Sequence, residues 1–145
     1  MLRVENLHAA YGHSVALHGV SLTIGAGEVV CLIGRNGVGK TSTMRAIVGD
    51  LIEITEGKIR VDEEDLRGLA PHEIVLRGVG YVPEDRRVFA SLTVQENLLV
   101  PAPTKEGTEN PWVLDRVFQL FPQLKAYRNR RAGVLSGGEQ QMLAI

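Results

Sequence analysis

The chain has little of several things, and each scarcity narrows what it can be. Cys31 is its one cysteine in 145 residues. A single thiol closes no internal disulfide. Its place inside the apolar run Val29–Ile33 reads as a small buried side chain in a reducing compartment, not a catalytic thiol. Net charge is also scarce: 16 Lys and Arg against 17 Asp and Glu leave −1. That balance gives no electrostatic footprint for DNA or RNA, and no nucleic-acid partner is expected. No apolar run approaches the roughly 18 residues a membrane-crossing helix needs. The start, Met1-Leu2-Arg3-Val4-Glu5-Asn6, has no apolar core of a secretion signal. The four histidines show no metal-ligand spacing with cysteine or carboxylates. There is no internal repeat and no low-complexity tract. What remains is an ordinary globular composition, 44 % hydrophobic and 23 % charged, of about one domain's length. A cytosolic protein is expected, one able to dock on a membrane partner.

What is present centres on Glu28-Val29-Val30-Cys31-Leu32-Ile33-Gly34-Arg35-Asn36-Gly37-Val38-Gly39-Lys40-Thr41-Ser42. Five apolar residues run into a glycine-rich loop, and Lys-Thr-Ser opens a helix. Gly34, Gly39, Lys40 and Thr41 fit G-x-x-x-x-G-K-[ST], a phosphate-binding loop. Glycines let the backbone bring its N–H groups against phosphate oxygens with no Cβ in the way. The helix that follows aims its unpaired N–H groups and positive dipole end at the same anion. Lys40 adds a full charge, worth ~4 kcal/mol at ~4 Å and an effective dielectric near ~20, before desolvation. Thr41 offers a hydroxyl to Mg²⁺. Met44, Ile47, Val48 and Leu51 repeat at helical spacing behind the loop.

Along the rest of the chain, residues 2–7 alternate as a strand, and Tyr11-Gly12 breaks it. Val20, Leu22 and Ile24 alternate with Ser21 and Thr23, a half-buried strand. The continuous apolar run 28–33 predicts a strand buried on both faces, so an antiparallel sheet is expected to feed a parallel one. Glu56-Gly57 reads as a turn, and Lys58–Val61 as a strand rejoining the antiparallel sheet. Asp62-Glu63 does not end a buried strand, because Ile59 and Val61 alternate with Lys58 and Arg60. Pro71 opens a short helix through Leu76, and Gly78–Pro83 reads as a short strand. Thr93 with Glu96 forms a capping box that opens a helix at Val94, ended by Pro101 and Pro103. After a polar loop over 104–110, Pro111 begins a helix with Leu114, Val117, Phe118 and Phe121 on one face. Pro122 stops it, and Leu124–Tyr127 form a further helical piece. Arg128, Arg130 and Arg131 read as a solvated loop.

Leu135-Ser136-Gly137-Gly138-Glu139-Gln140-Gln141 opens the last helix. Capping accounts for Ser136 and Glu139. It does not account for Gly137 and Gly138, which cost about 1 kcal/mol each against alanine inside a helix. A first turn with two exposed glycines reads as a second anion site.

A phosphate-binding loop followed about a hundred residues later by Leu-Ser-Gly-Gly-Glu-Gln-Gln resembles the nucleotide-binding domain of ATP-binding cassette (ABC) proteins, over the whole chain. The implied fold is α/β, a P-loop NTPase core with an antiparallel β subdomain and a helical subdomain, lacking the C-terminal part of the parallel sheet. Residues 1–83 would form the antiparallel sheet and P-loop core, and 84–145 the Q-loop and helical subdomain up to the signature motif. The resemblance assigns Tyr11 to adenine stacking. It assigns Gly34, Arg35, Asn36, Gly37, Val38, Gly39, Lys40, Thr41 and Ser42 to the ATP phosphates. Ser136, Gly137, Gly138 and Glu139 would contact, in trans, the ATP held by a second protomer. ATP and Mg²⁺ are the implied cofactors, with Thr41 and Glu84 as the metal ligands. The implied partners are a second ATPase protomer, identical or not, bound head to tail, and membrane permease subunits. These place the protein on the inner face of the cell membrane.

Within Gly80-Tyr81-Val82-Pro83-Glu84, Glu84 stands where the family usually has glutamine, a charged ligand in place of a neutral one. With Asp85-Arg86-Arg87-Val88-Phe89 and Leu92–Leu98 it is similar to the second ATPase of branched-chain (hydrophobic) amino-acid importers. Urea or amide importers, non-transport ABC ATPases of translation or DNA repair, and a non-catalytic nucleotide-binding fragment are the alternatives. By the same resemblance, Arg86 and Arg87 are expected to face a permease. No Asp-Glu-ended apolar strand and no switch histidine follow the signature before Ile145. A truncated portion of a longer ATPase is therefore expected, with no catalytic base of its own and little turnover alone.

Overall fold

The computed structural model describes residues 1–100 and 113–145. The stops expected at Pro101 and Pro103, the loop 104–110 and the helix start expected at Pro111 lie outside these residues. The chain groups into two units, Met1–Tyr81 and Val82–Ile145.

The first unit is an antiparallel sheet in the order β2-β1-β3-β4, built from β1 (Leu2–Tyr11), β2 (Ser14–Ile24), β3 (Glu53–Val61) and β4 (Glu64–Asp65). β1 is longer than its alternating stretch because it carries a bulge. Val4 faces Leu22 and Leu7 faces Val20, so three steps on β1 match two on β2. The same mismatch occurs against β3, where Glu5 faces Lys58 and His8 faces Glu56. Asn6 is the extra residue, at φ 46°. The insertion shifts side-chain parity, so Leu7 and Ala9 are buried with Val4. Gly57, expected in a turn, lies inside β3 opposite this bulge. Its φ is 97°, and a Cβ there would stand 2.3 Å from the Asn6 carbonyl oxygen. A strand glycine that meets a neighbour's backbone looks like a turn when its neighbour is unknown.

Asp62 and Glu63 form the turn between β3 and β4. Val4, Leu7, Ala9, Leu17 and Ile59 make the core face of the sheet, joined by Leu66 and by Ile74 of α2 (Pro71–Leu76). α1 (Lys40–Ile47) sets Ala46 and Ile47 into the same core. The stripe it buries is Thr43, Ala46 and Ile47, and Met44 and Leu51 are exposed. The helix ends at Ile47, so Leu51 falls past its last turn, at φ 58°.

Two strand expectations fail. The run 28–33 is irregular and exposed, Val29 at 90 % and Ile33 at 93 %, and Cys31 is exposed as well. An apolar run becomes a two-face-buried strand only with neighbours on both edges. Among the described residues no strand pairs with it, and every described strand pair is antiparallel. Gly78–Pro83 is not a strand for the same reason, though Val79 packs against the core.

The second unit is helical: α3 (Val94–Leu99), α4 (Leu114–Leu120), α5 (Pro122–Ala126), a 3₁₀ turn at Ala132–Val134 and α6 (Gly137–Ala144). Val94, Phe118, Leu124, Ala132, Leu135 and Leu143 form its core. Asn97 is buried within α3. Its Oδ1 accepts from the Phe89 N–H at 2.8 Å, and its Nδ2 donates to the carbonyls of Phe89 at 3.0 Å and Thr93 at 2.8 Å. One amide thus pins the incoming segment 89–93 to the helix it precedes.

Candidate functional site

The loop Gly34–Gly39 delivers the chain into α1 through a glycine that nothing else can replace. Gly39 is the N-cap, at φ 99°, and a Cβ there would lie 2.8 Å from Leu17 Cδ2 and 3.2 Å from the Ala16 carbonyl. The loop is therefore pressed against β2. Because Gly39 has no side chain and the first turn no acidic residue, no protein carboxylate or hydroxyl caps α1. Its leading N–H groups and positive dipole end are left open to an anion. Lys40 closes the loop into a ring. Its Nζ donates to the carbonyls of Gly34 and Arg35, both at 2.8 Å. The Thr43 hydroxyl turns inward and donates to the Gly39 carbonyl at 2.9 Å. Thr41 and the loop residues Gly34, Arg35, Asn36, Gly37 and Val38 are exposed, while Ser42 is partly covered.

Tyr11 comes to the same place from the end of β1. Its hydroxyl donates to Ser42 Oγ at 3.4 Å. The aromatic residue and the phosphate-loop hydroxyl singled out in sequence are thus neighbours. One residue near them escaped the sequence reading. Arg45, a turn further along α1, has its pKa raised above the ordinary arginine value, chiefly by hydrogen bonding to the Tyr11 phenol. Nothing in the local sequence marks Arg45, because the partner is 34 positions away along the chain (45 − 11).

In the second unit Ser136 is the N-cap of α6. Its backbone N–H donates to Glu139 Oε2 at 2.7 Å, and Glu139 N–H donates to Ser136 Oγ at 3.4 Å. The Ser136 backbone N–H, with its hydroxyl second, holds the Glu139 carboxyl below the usual glutamate range. Gly137 and Gly138 sit in the first turn, as expected. Arg86 is the unforeseen neighbour there. Its guanidinium lies against Gly137, and an added Cβ would be 2.8 Å from Nη1. Within its own unit, then, Arg86 faces the signature turn. Arg86 and Arg87 both have positive φ, 67° and 40°, and Arg87 Nε donates to Asp85 Oδ2 at 3.1 Å. Glu84 lies exposed in the tight turn that the Arg86 N–H closes on the Pro83 carbonyl at 3.2 Å. Arg130 stacks on Tyr127, with Cζ 4.4 Å from the ring centre.

A glycine-turned loop, closed by its own lysine at an uncapped helix start beside an antiparallel sheet, is the architecture of a P-loop nucleotide-binding protein. The family model described as "ABC transporter" matches residues 17–145. The chain belongs to the ABC transporter family. It is 42 % identical, over its whole length, to the high-affinity branched-chain amino acid transport ATP-binding protein BraG of Pseudomonas aeruginosa. To the probable branched-chain amino acid transport ATP-binding protein LivF of Archaeoglobus fulgidus it is 37 % identical, and to the lipopolysaccharide export system ATP-binding protein LptB of Haemophilus influenzae 34 %. The chain spans about three fifths of these relatives, 62 %, 61 % and 61 % of their lengths. Among solved structures, an ATP-binding subunit of an ABC transporter superposes with a TM-score of 0.83 at 28 % identity, over 99 % of this chain and 59 % of that one. The dimeric structure of the bacterial ABC transporter cassette MJ0796 matches with a TM-score of 0.79 at 26 % identity, over all of this chain and 67 % of that one.

Proposed function

We propose that the protein is the ATP-binding part of an ATP-hydrolysing subunit that powers an ABC importer for branched-chain (hydrophobic) amino acids. The observation that carries this reading is the 42 % identity to BraG across the whole chain, joined to the open, lysine-closed helix start at Gly34–Ser42. In it the loop N–H groups and Lys40 hold the ATP phosphates, Ser42 supports them, and Tyr11 stacks on the base. Thr41 offers Mg²⁺ a hydroxyl, a hard oxygen donor that suits it. Among the described residues no group of three or more His, Cys, Asp or Glu could hold a metal ion. The metal would thus complete its shell with phosphate and water, as Mg²⁺ at nucleotide sites does. Bound there, Mg²⁺ would neutralise charge developing on the phosphates.

Ser136, Gly137, Gly138 and Glu139 meet the ATP of a second protomer bound head to tail, which makes nucleotide the link between the two. A structural relative that is dimeric supports the second protomer. The residues named here supply a phosphate cradle, a metal hydroxyl and a trans contact. Among the described residues no helix is long and apolar enough to cross a membrane; the importer reading sets the protein on permease subunits at the cytoplasmic face.

LptB's likeness makes lipopolysaccharide export the second reading. Purification of the tagged protein from detergent-solubilised membranes of its host, followed by uptake assays in a deletion strain, separates them. Co-purifying permease subunits and lost uptake of leucine, isoleucine and valine are expected. Ribosomes or DNA in place of permeases, or unchanged amino-acid uptake, would contradict the importer reading.

A further inference from the structure

We propose that Thr43 is a positioning residue: its buried hydroxyl fixes the Gly39–Lys40 peptide, so that the Lys40 backbone N–H stays aimed at bound phosphate. The proposal rests on the reading of Gly34–Ser42 as a phosphate cradle. It adds a residue that lies outside that cradle and touches no ligand.

Among the described residues Thr43 and Asn97 are the buried polar side chains, and Thr43 is only 3 % exposed. Packing alone does not call for threonine there. Valine has the same branch at Cβ and nearly the same shape, and it brings no hydroxyl to satisfy. The Thr43 hydroxyl is committed to one acceptor, the Gly39 carbonyl, at 2.9 Å. That carbonyl already accepts the Thr43 N–H at 2.8 Å, the first backbone bond of α1. One residue thus places two donors on one oxygen, whose two lone pairs make room for both.

The second bond controls the peptide that follows. A trans peptide is planar, with its C=O and N–H on opposite sides. Turning the Gly39 carbonyl into the helix therefore turns the Lys40 N–H out of its open end, toward an anion. A flipped peptide would present the carbonyl oxygen to the phosphate and repel it. Glycine is the residue whose backbone least resists such a flip. Gly39 sits at φ 99° and ψ 6°. A Cβ on it would lie 2.8 Å from Leu17 Cδ2 and 3.2 Å from the Ala16 carbonyl. A side chain at position 39 is thereby excluded, and the restraint has to come from elsewhere. Thr43 supplies it from one turn along, where a hydroxyl reaches the carbonyl four residues back. A peptide oriented before phosphate arrives does not have to be ordered by it, and affinity rises accordingly.

The test is calorimetric titration of the 145-residue chain with Mg·ATP and with Mg·tripolyphosphate, which has the phosphates and no base. Thr43→Val removes the hydroxyl and keeps the branched shape. It should weaken both ligands by the same factor, about three- to tenfold, the size of one hydrogen bond. Thr43→Ser keeps the hydroxyl, drops the methyl and should restore both affinities to within about twofold of wild type. In magnetic resonance spectra of the free proteins, the Gly39 carbonyl carbon should move upfield in Thr43→Val and stay near its wild-type position in Thr43→Ser. A packing role would reverse the order, because serine leaves a methyl-sized gap and valine does not. Wild-type affinity or an unmoved Gly39 resonance in Thr43→Val would overturn the proposal. So would a loss in Thr43→Ser as large as that in Thr43→Val, or a loss confined to ATP. A wild-type chain that binds neither ligand would instead overturn the phosphate-cradle reading, and this proposal with it.

Discussion

Asn97 shows how much one side chain can hold. Its amide meets a donor and two acceptors of the backbone at once. Alanine at this position leaves the Phe89 N–H and carbonyl without their partner in a partly buried setting. Each such orphaned group costs about 1–3 kcal/mol. Asn97→Ala should therefore destabilise the helical unit by at least ~2 kcal/mol, read as a lower urea midpoint with an unchanged slope. The sequence placed Asn97 in a motif without assigning it a task, because its partners are backbone atoms that no residue type announces. The place of Arg86 stayed hidden for a related reason: it lies against Gly137, far away in sequence.

Elements defined by their own ends were legible. Pro71 opens α2, Thr93 with Glu96 opens α3, and Ser136 with Glu139 opens α6, each where the residues indicated. Caps are local, so four residues suffice to recognise them. Elements defined by neighbours were not. The bulge at Asn6 and Gly57, the irregular run 28–33 and the irregular Gly78–Pro83 depend on which strand lies alongside. The caps also carry a pH dependence. The Thr93 backbone N–H holds the Glu96 carboxyl below its ordinary value of 4.5, and the Ser136 N–H does the same for Glu139. A carboxylate whose pKa is depressed by folding stabilises the folded state above its unfolded value. That contribution is lost as pH falls from about 4.5 through the folded value. Wild type should be more stable than Glu139→Gln at pH 7, and the gap should close as the pH drops below about 4.5. Urea melts of both proteins across that range check the sign; a gap that widens on acidification would refute it. Ser136→Ala should cost about 1 kcal/mol on the same helix.

At the scale of the molecule, the described residues show an antiparallel sheet and a helical unit whose cores close on themselves, with an apolar segment lying open between β2 and the loop. Val29 and Ile33 are almost wholly exposed. Their replacement by lysine should leave the urea midpoint of the sheet unit within about 0.5 kcal/mol of wild type, as surface changes do. The same change should lower light scattering at high protein concentration, since an exposed apolar run promotes association. A large loss of stability would show that the run is buried in solution. The sheet's second task is to carry α1: Leu17 on β2 abuts Gly39, and Ala46 and Ile47 anchor the helix in the core. The helix start is held rigid while its N–H groups face outward. That arrangement underlies the whole functional reading. Titration of Mg·ATP into wild type and Lys40→Ala tests it most directly. The account predicts measurable binding by wild type and at least about tenfold weaker binding by the variant, the effect of removing one charge-assisted contact. Equal affinity of the two would contradict it.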